Sequence, residues 1–359
     1  MRVRQGDRDP EDLRATERHG NLLDQPYVVR PSWPYLQRKG DDMRAIVQDR
    51  YGDASVLRPA EIEKPEPGEG EVVVHVHAAG LDRGAWHLMA GLPLLVRPAF
   101  GLRAPKEPVR GREFAGRVEA IGAGVTGLAP GDEVAGVGEG CFAELARARV
   151  DRIAPAPAGL GPVDLAALPI SGLTALQAVR DQARVEPGQR VLVIGASGGV
   201  GSLAVQIAKA RGAHVTGTAS PGKLDLVREL GAEPMDHTRP LTGVYDAVLD
   251  AGGHRPLRRL LPLLTPRGTL VIIGSEPGGR LLGGTDRQLR ALLLSPVVRR
   301  RLRSFVSSEN AADLRELFAL AEAGTIRAVV GETLPLDELP EAMRRMVAGA
   351  TRGKVVLVP

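Results

Sequence analysis

The chain has 359 residues, too many for one ordinary core and enough for about two domains at roughly 150 residues each. With 43% hydrophobic and 25% charged residues it has the composition of a folded globular protein, which excludes a wholly disordered chain or a fibre, and its one cysteine, Cys141, excludes a disulfide framework or a metal site of several thiolates. The net charge of +4 leaves 47 basic residues nearly balanced by 43 acidic ones, and only 3% are aromatic, so nucleic acid is not an expected partner.

Residues 1–42 mix both charge signs with scattered prolines and no steady period, the pattern of a flexible N-terminal extension. They lack the apolar stretch of a secretory signal, and no apolar run anywhere reaches the roughly 18 to 20 residues of a membrane helix. A cytoplasmic protein with no membrane partner is therefore expected. From Met43, MRAIVQDRYG, then Glu71 to His77, then Arg117 to Gly122 form short β-branched runs between Gly and Pro turns, which predicts an antiparallel, barrel-like β domain over 43–166. His75 and His77 share one strand face there. They alternate with Val74 and Val76 and have no further ligand in sight, so no metal is assigned to them.

Helical spacing begins near Leu165, and VLVIGASGGVGSLAVQIAKARGA follows as strand, glycine turn and helix. Then come a strand at His214–Thr218, the helix KLDLVRELGA, a strand at Tyr245–Asp250, a Leu-rich helix from Leu257 and a strand at Thr269–Gly274. Strands alternating with helices over 167–303 mean an α/β domain with a doubly wound parallel sheet. The tail, 304–359, holds a helix at 311–323, another around Leu339–Val347 and a terminal strand, Lys354–Val358. It has no parallel-sheet partner of its own and is expected to rejoin the first domain.

The glycine turn carries the chemistry. In Gly195-Ala196-Ser197-Gly198-Gly199-Val200-Gly201 the glycines lie between an apolar strand and an apolar-periodic helix, the setting in which a G-x-G-x-x-G pattern has meaning. Ala196 replaces the first glycine. Gly198 lets the backbone approach a pyrophosphate, Gly201 lets the helix sit on the strand, and the helix N-terminus offers free N–H groups and partial positive charge. A dinucleotide is the expected ligand.

An Asp or Glu about 20 residues on would hold the ribose 2′-hydroxyl of NAD, but Thr218-Ala219-Ser220-Pro221-Gly222-Lys223 stands there instead. Ser220 and Lys223, with His237 after the third strand, suit a 2′-phosphate. Two charge-assisted hydrogen bonds at about 1.5–3 kcal/mol each favour NADP(H) by about two to four orders of magnitude.

MRAIVQDRYG, VHAAGLDRGAW, VEAIGAGVTGLAPGDEVAG, ALPISGLTALQAV, VLVIGASGGVGSLAVQIAK and the terminal RGKVVL together resemble the medium-chain dehydrogenase/reductase superfamily, and within it the zinc-free quinone oxidoreductase branch, often labelled NAD(P)-dependent alcohol dehydrogenase. The resemblance covers nearly all of Met43–Pro359. It implies a GroES-like β-barrel beside a Rossmann domain, an active site in the cleft between them, and a homodimer. The places of the three catalytic zinc ligands of zinc-dependent relatives hold Asp82, Arg112 and a residue near Ile170, and arginine has no lone pair to offer a metal.

By the same resemblance Asp82 stands where Asn is usual, near nicotinamide and substrate, Thr174 reaches the cofactor from the domain junction, Gly252 and Gly274 end strands on the ligand side, and Lys354 closes on the cofactor. Trp86, with His87, Met89 and the segment Leu92–Leu102, is a candidate pocket wall; each of these is equally consistent with core packing. Tyr51 is a candidate acid on position alone. Without a metal to stabilise an alkoxide, alcohol oxidation suits the site less than hydride addition to a quinone or an α,β-unsaturated carbonyl. An enoyl-thioester reductase and a non-catalytic NADPH-responsive binding protein are the alternatives.

Overall fold

The structure is a computed structural model that describes residues 42–274, 279–295 and 298–359. The expected extension over 1–42 lies outside the described residues except for Asp42, which opens the first strand.

β1 (Asp42–Val47) and β2 (Arg58–Glu63) form an antiparallel pair. β3 (Glu71–Leu81) is the long strand of the first domain; Val72, Val73, Val74 and Val76 are buried while His75 is exposed. Its end leads through Asp82 into α1 (Arg83–Ala90), followed by the short α2 (Arg97–Phe100). β4 (Glu113–Ile121), β5 (Glu133–Val137), β6 (Leu145–Arg149) and β7 (Ile153–Pro155) extend the sheet, and α3 (Pro162–Ala166) and α4 (Pro169–Gln177) cross towards the second domain.

β8 (Arg190–Ile194), α5 (Gly199–Ala210), β9 (His214–Ala219), α6 (Leu224–Glu229), β10 (Glu233–Asp236), β11 (Tyr245–Asp250), α7 (Leu257–Leu260), β12 (Leu264–Ile272), α8 (Thr285–Leu294) and β13 (Arg301–Ser304) form the second domain. Its sheet is wholly parallel in the order β10-β9-β8-β11-β12-β13. That is the doubly wound order 3-2-1-4-5-6. The order reverses between β8 and β11, and ligands bind outside the carboxyl ends of strands at such a point. Val191, Leu192, Val193 and Ile194 are all buried, as a strand covered on both faces requires.

Two details correct the sequence reading. The Leu-rich helix from Leu257 is a single turn, because Pro262 supplies no N–H and the chain tightens to a 3-10 turn before entering β12 at Leu264. β13 is a sixth strand that the sequence did not announce, since only Leu302 of its four residues is buried.

The tail supplies α9 (Ala311–Glu322), β14 (Val330–Pro335), α10 (Leu339–Val347) and β15 (Lys354–Val358). β15 pairs in parallel with β14 and antiparallel with β3, so the last strand lies in the sheet of the first domain. α9 buries Leu314, Leu317, Phe318 and Ala321, the i, i+3, i+4, i+7 stripe of an amphipathic helix, and Asn310 caps it by accepting from the Asp313 N–H. Among the described residues no helix is long and apolar enough to cross a membrane.

Candidate active site

The glycine turn sits at the switch point. Gly195 follows β8 at φ 84°, a left-handed conformation that suits glycine, and a Cβ at Gly201 would overlap the Gly195 carbonyl oxygen. Ala196 is fully buried, its N–H donates to Thr218 O at 2.9 Å, and its methyl faces Gly217, where any Cβ would come within 2.8 Å. Gly217 thus leaves the room that Ala196 fills, which explains why this turn tolerates alanine. Gly198 is the N-cap of α5, and a Cβ there would touch only Gly195 O at 3.5 Å, so this edge is open to a ligand. Ser197, Gly199 and Val200 are half-buried beside it. The opening N–H groups of α5 have no partner within the helix and point into this space. Thr218 on β9 accepts the Gly195 N–H through Oγ1 at 3.3 Å.

Ser220 and His237 meet beyond β9, with Oγ and Nε2 3.3 Å apart. Lys223 lies close in sequence, but its ammonium donates to the carbonyls of Gly349 at 2.9 Å and Thr351 at 2.7 Å, so two of its three N–H groups already brace the tail. Partial burial pushes its pKa down, and Arg352 adds to this. Arg255 donates from Nη2 to His237 O at 2.6 Å, and Arg352 pairs with Asp225 at 2.8 Å. The sequence reading passed over both guanidinium groups, because nothing in their local pattern sets them apart from surface arginines.

Gly252 and Gly274 lie at the carboxyl ends of β11 and β12: Gly252 N–H donates to Ile194 O at 3.1 Å, and a Cβ on Gly274 would meet Ala251 O. Arg287 of α8 holds this floor together through an ion pair with buried Asp250 and a bond to Gly253 O at 3.2 Å. Neither Arg287 nor Asp250 was singled out by the sequence.

On the barrel side, Asp82 caps α1, accepting from Ala85 N–H at 2.9 Å through Oδ1, while its buried Oδ2 has no partner among the described residues. Glu113 opens β4 with no exposure at all. It binds the Lys354 ammonium and accepts the Ile170 N–H at 2.9 Å. Burial raises the Glu113 pKa and Asp82 adds to this, while Lys354 and the Ile170 N–H oppose it. Lys354, only 5% exposed, is therefore directed at Glu113, and its stem covers Gly199, where a Cβ would come within 2.7 Å of Cδ. Gly353 N–H donates to Ser197 O at 2.8 Å, so β15 leans directly on the glycine turn. A lone Glu at the head of the apolar run EFAGRV was the available signal for this node.

Thr174 Oγ1 donates to Ile170 O at 2.7 Å and lies 3.0 Å from Ser307 Oγ, whose hydroxyl can donate to it, tying α4 to the chain that leaves β13. Arg112 reaches that same chain, with Nη2 2.7 Å from Glu309 Oε1, and Arg152 approaches the other oxygen at 3.3 Å. Trp86 is partly buried against the barrel core, with the Arg83 guanidinium 5.6 Å from its ring. Met89 is 1% exposed and belongs to that core, so it lines no cleft, and His87 Nδ1 is 2.9 Å from Leu92 O. Tyr51 donates to Gly101 O at 2.7 Å beneath the Arg97 guanidinium, so its proton is already committed.

The three places of a catalytic metal do not form a donor set here. One Asp82 oxygen is spent on a helix cap, Arg112 has no lone pair, and Ile170 contributes its N–H to Glu113. His75 and His77 have ring centroids 5.5 Å apart, and His77 lies 3.5 Å from Glu133. Among the described residues no group of three or more His, Cys, Asp or Glu side chains is placed to hold a metal ion. Cys141 is fully buried, which pushes its thiol pKa up and removes it as a nucleophile.

The family model described as an alcohol dehydrogenase GroES-like domain matches residues 68–158, and the one described as a zinc-binding dehydrogenase matches 229–357. The chain is 31% identical over 339 residues to a chloroplastic quinone oxidoreductase of Triphysaria versicolor, covering 89% of this chain and 99% of the relative. The solved quinone oxidoreductase of Coxiella burnetii gives a TM-score of 0.76 at 28% identity, over 89% of this chain and 99% of that one. A mycobacterial protein complexed with NADPH gives 0.75 at 26% identity, over 88% and 100%. The CurK enoyl reductase gives 0.76 at 25% identity, over 89% and 99%.

Proposed function

The chain belongs to the medium-chain dehydrogenase/reductase superfamily, in its quinone oxidoreductase-like branch, and from that premise we propose that it is a zinc-independent reductase passing hydride from NADPH to a quinone or an α,β-unsaturated carbonyl. The observation that carries the reading is the glycine turn at the switch point, with no acid at the end of β9 and a hydroxyl, an imidazole and cations gathered there instead. A structural neighbour complexed with NADPH supports the same cofactor.

The open edge at Gly198 and the first N–H groups of α5 would hold the pyrophosphate, and Ser220, Lys223 and His237 the 2′-phosphate. Ala196, Ser197, Gly199, Val200 and Gly201 shape the turn, Thr174 and Lys354 brace it from the junction, and Gly252 and Gly274 leave room above the sheet. Bound there, the reduced nicotinamide supplies a hydride; the protein's task is to orient two flat partners and to stabilise the charge that hydride addition sends to an oxygen. Asp82 and Trp86 border the substrate end. Cytoplasmic residence and a homodimer belong to this reading.

The test is NADPH oxidation with quinones, enals and enones in metal-free buffer. Turnover that survives chelator supports the reading. Chelator sensitivity contradicts the metal-free site, and NADPH binding with no turnover on any acceptor supports a non-catalytic binding protein instead. Likeness to the CurK enoyl reductase favours a second reading, an enoyl-thioester reductase, which a saturating preference for acyl-thioesters would establish.

A further inference from the structure

In an open parallel sheet the ligand crevice lies beyond the carboxyl ends of the strands. β13 runs parallel to β12, so the segment after Ser304 leaves from that end. It is held across the junction by Thr174 on Ser307 and by Gln177, whose amide donates to Ser308 O at 2.8 Å and accepts the Ser308 N–H at 2.8 Å. Two bonds to one amide fix where Glu309 stands. The barrel approaches the same point through Arg112, the residue before the buried Glu113 that binds Lys354 and Ile170 N–H.

Arg112 makes both of its contacts to Glu309 through Nη2, at 2.7 and 2.8 Å. Nε and Nη1 carry none of these contacts, and the side chain keeps 36% of its exposure. Glu309, at 16%, lies between Arg112 and Arg152, so two guanidinium groups share one carboxylate and the cluster retains a positive charge. A half-exposed cation oriented by a fixed carboxylate, with N–H donors left over from that pair, is an arrangement that can stabilise an oxyanion without reorganising during reaction.

Resting on the reductase reading above, we propose that Arg112 is a catalytic residue: its free N–H groups bind the substrate oxygen that gains charge when hydride adds to the conjugated carbon, and Glu309 is the positioning residue that holds the guanidinium. The hydride forms the new C–H bond and the π electron pair moves along the conjugated system to oxygen, giving an enolate. With an enone it takes a proton from water at carbon or oxygen, and with a quinone the enedione enolate loses a ring C–H proton to water and takes protons at its oxygens to become the hydroquinone. The guanidinium stays protonated throughout.

Oxyanion basicity gives the test. A simple enone produces a far more basic anion than an electron-poor quinone, so it depends more on the donor. Arg112→Gln should lose about 10²- to 10³-fold in kcat with the enone, the range for removal of one oxyanion donor. The loss with the electron-poor quinone should be smaller, and NADPH affinity and melting temperature should hold. Arg112→Lys should recover part of the enone rate, and added guanidinium should rescue Arg112→Ala, which a purely structural strut would not allow. Glu309→Gln should lower kcat with little change in NADPH affinity. Equal losses on both acceptors, a loss confined to NADPH affinity, or no rescue with a folded Arg112→Ala would overturn the assignment. A wild-type protein that binds NADPH yet reduces neither acceptor overturns the reductase reading beneath it, whereas wild-type turnover with an unimpaired Arg112→Gln overturns this inference alone.

Discussion

The glycine turn at 195–201 and the junction around Glu113 adjoin through β15, but they are made in opposite ways. The turn is one contiguous stretch whose work is done by backbone N–H groups and missing side chains, such as the Cβ that cannot exist at Gly201. The junction is assembled from β4, β15 and the α4 N-terminus, and its work is done by the Glu113 and Lys354 side chains in a dry setting. A contiguous backbone device tolerates change in the flanking side chains. An assembled charged node depends on every partner, because removing one leaves the others buried and uncompensated.

Gly201→Val is the harshest way to break that contrast. Its side chain would collide with Gly195 O, so we expect loss of measurable NADPH binding together with a lowered melting temperature. Glu113→Gln attacks the other region, leaving the Lys354 ammonium in a site with 5% exposure. Breaking such a pair costs about 3–5 kcal/mol, and the double variant with Lys354→Met should recover part of it in urea unfolding. If Glu113→Gln unfolds like wild type, the junction is not a charged node.

Lys223→Ala sharpens the comparison from a third place, where side chains have gathered around a backbone-built site. Loss of one charge-assisted hydrogen bond predicts about a 10- to 100-fold rise in the NADPH dissociation constant with NADH little changed. Equal weakening of both cofactors would mean that Lys223 only braces Gly349 and Thr351. The smallest effect is expected at Asp313. Burial raises its pKa, yet hydrogen bonds from Asn310, Arg180 and Gln177 outweigh this and hold it below the ordinary value. The stabilisation is therefore whole above the ordinary carboxylate pKa and is lost as pH falls through it towards the lower folded value. Melting temperature should fall over that acid range more in wild type than in Asp313→Asn.

The same contrast decides what the sequence made legible. The alternation of strands and helices from Leu165 onward and the glycine spacing identify a doubly wound sheet and its cradle, because their causes lie within a few residues of one another. β13 was invisible, since one buried leucine among arginines carries no period, and the helix from Leu257 was overcalled because leucine frequency outweighed Pro262. Lys354 could be named from the terminal RGKVVL, but its partner Glu113 is 241 positions away in sequence. Arg112 showed itself only as a residue unable to ligate a metal. What it does instead depends on Glu309, whose place the fold alone determines.

The account stands most directly on where the nicotinamide hydrogen goes. With NADPH deuterated on the transferred position of the nicotinamide and an enone acceptor, the account predicts one deuterium in the product, at the carbon β to the carbonyl. NADPH oxidation that leaves the label out of that carbon, or no oxidation by a protein that binds NADPH, would contradict it.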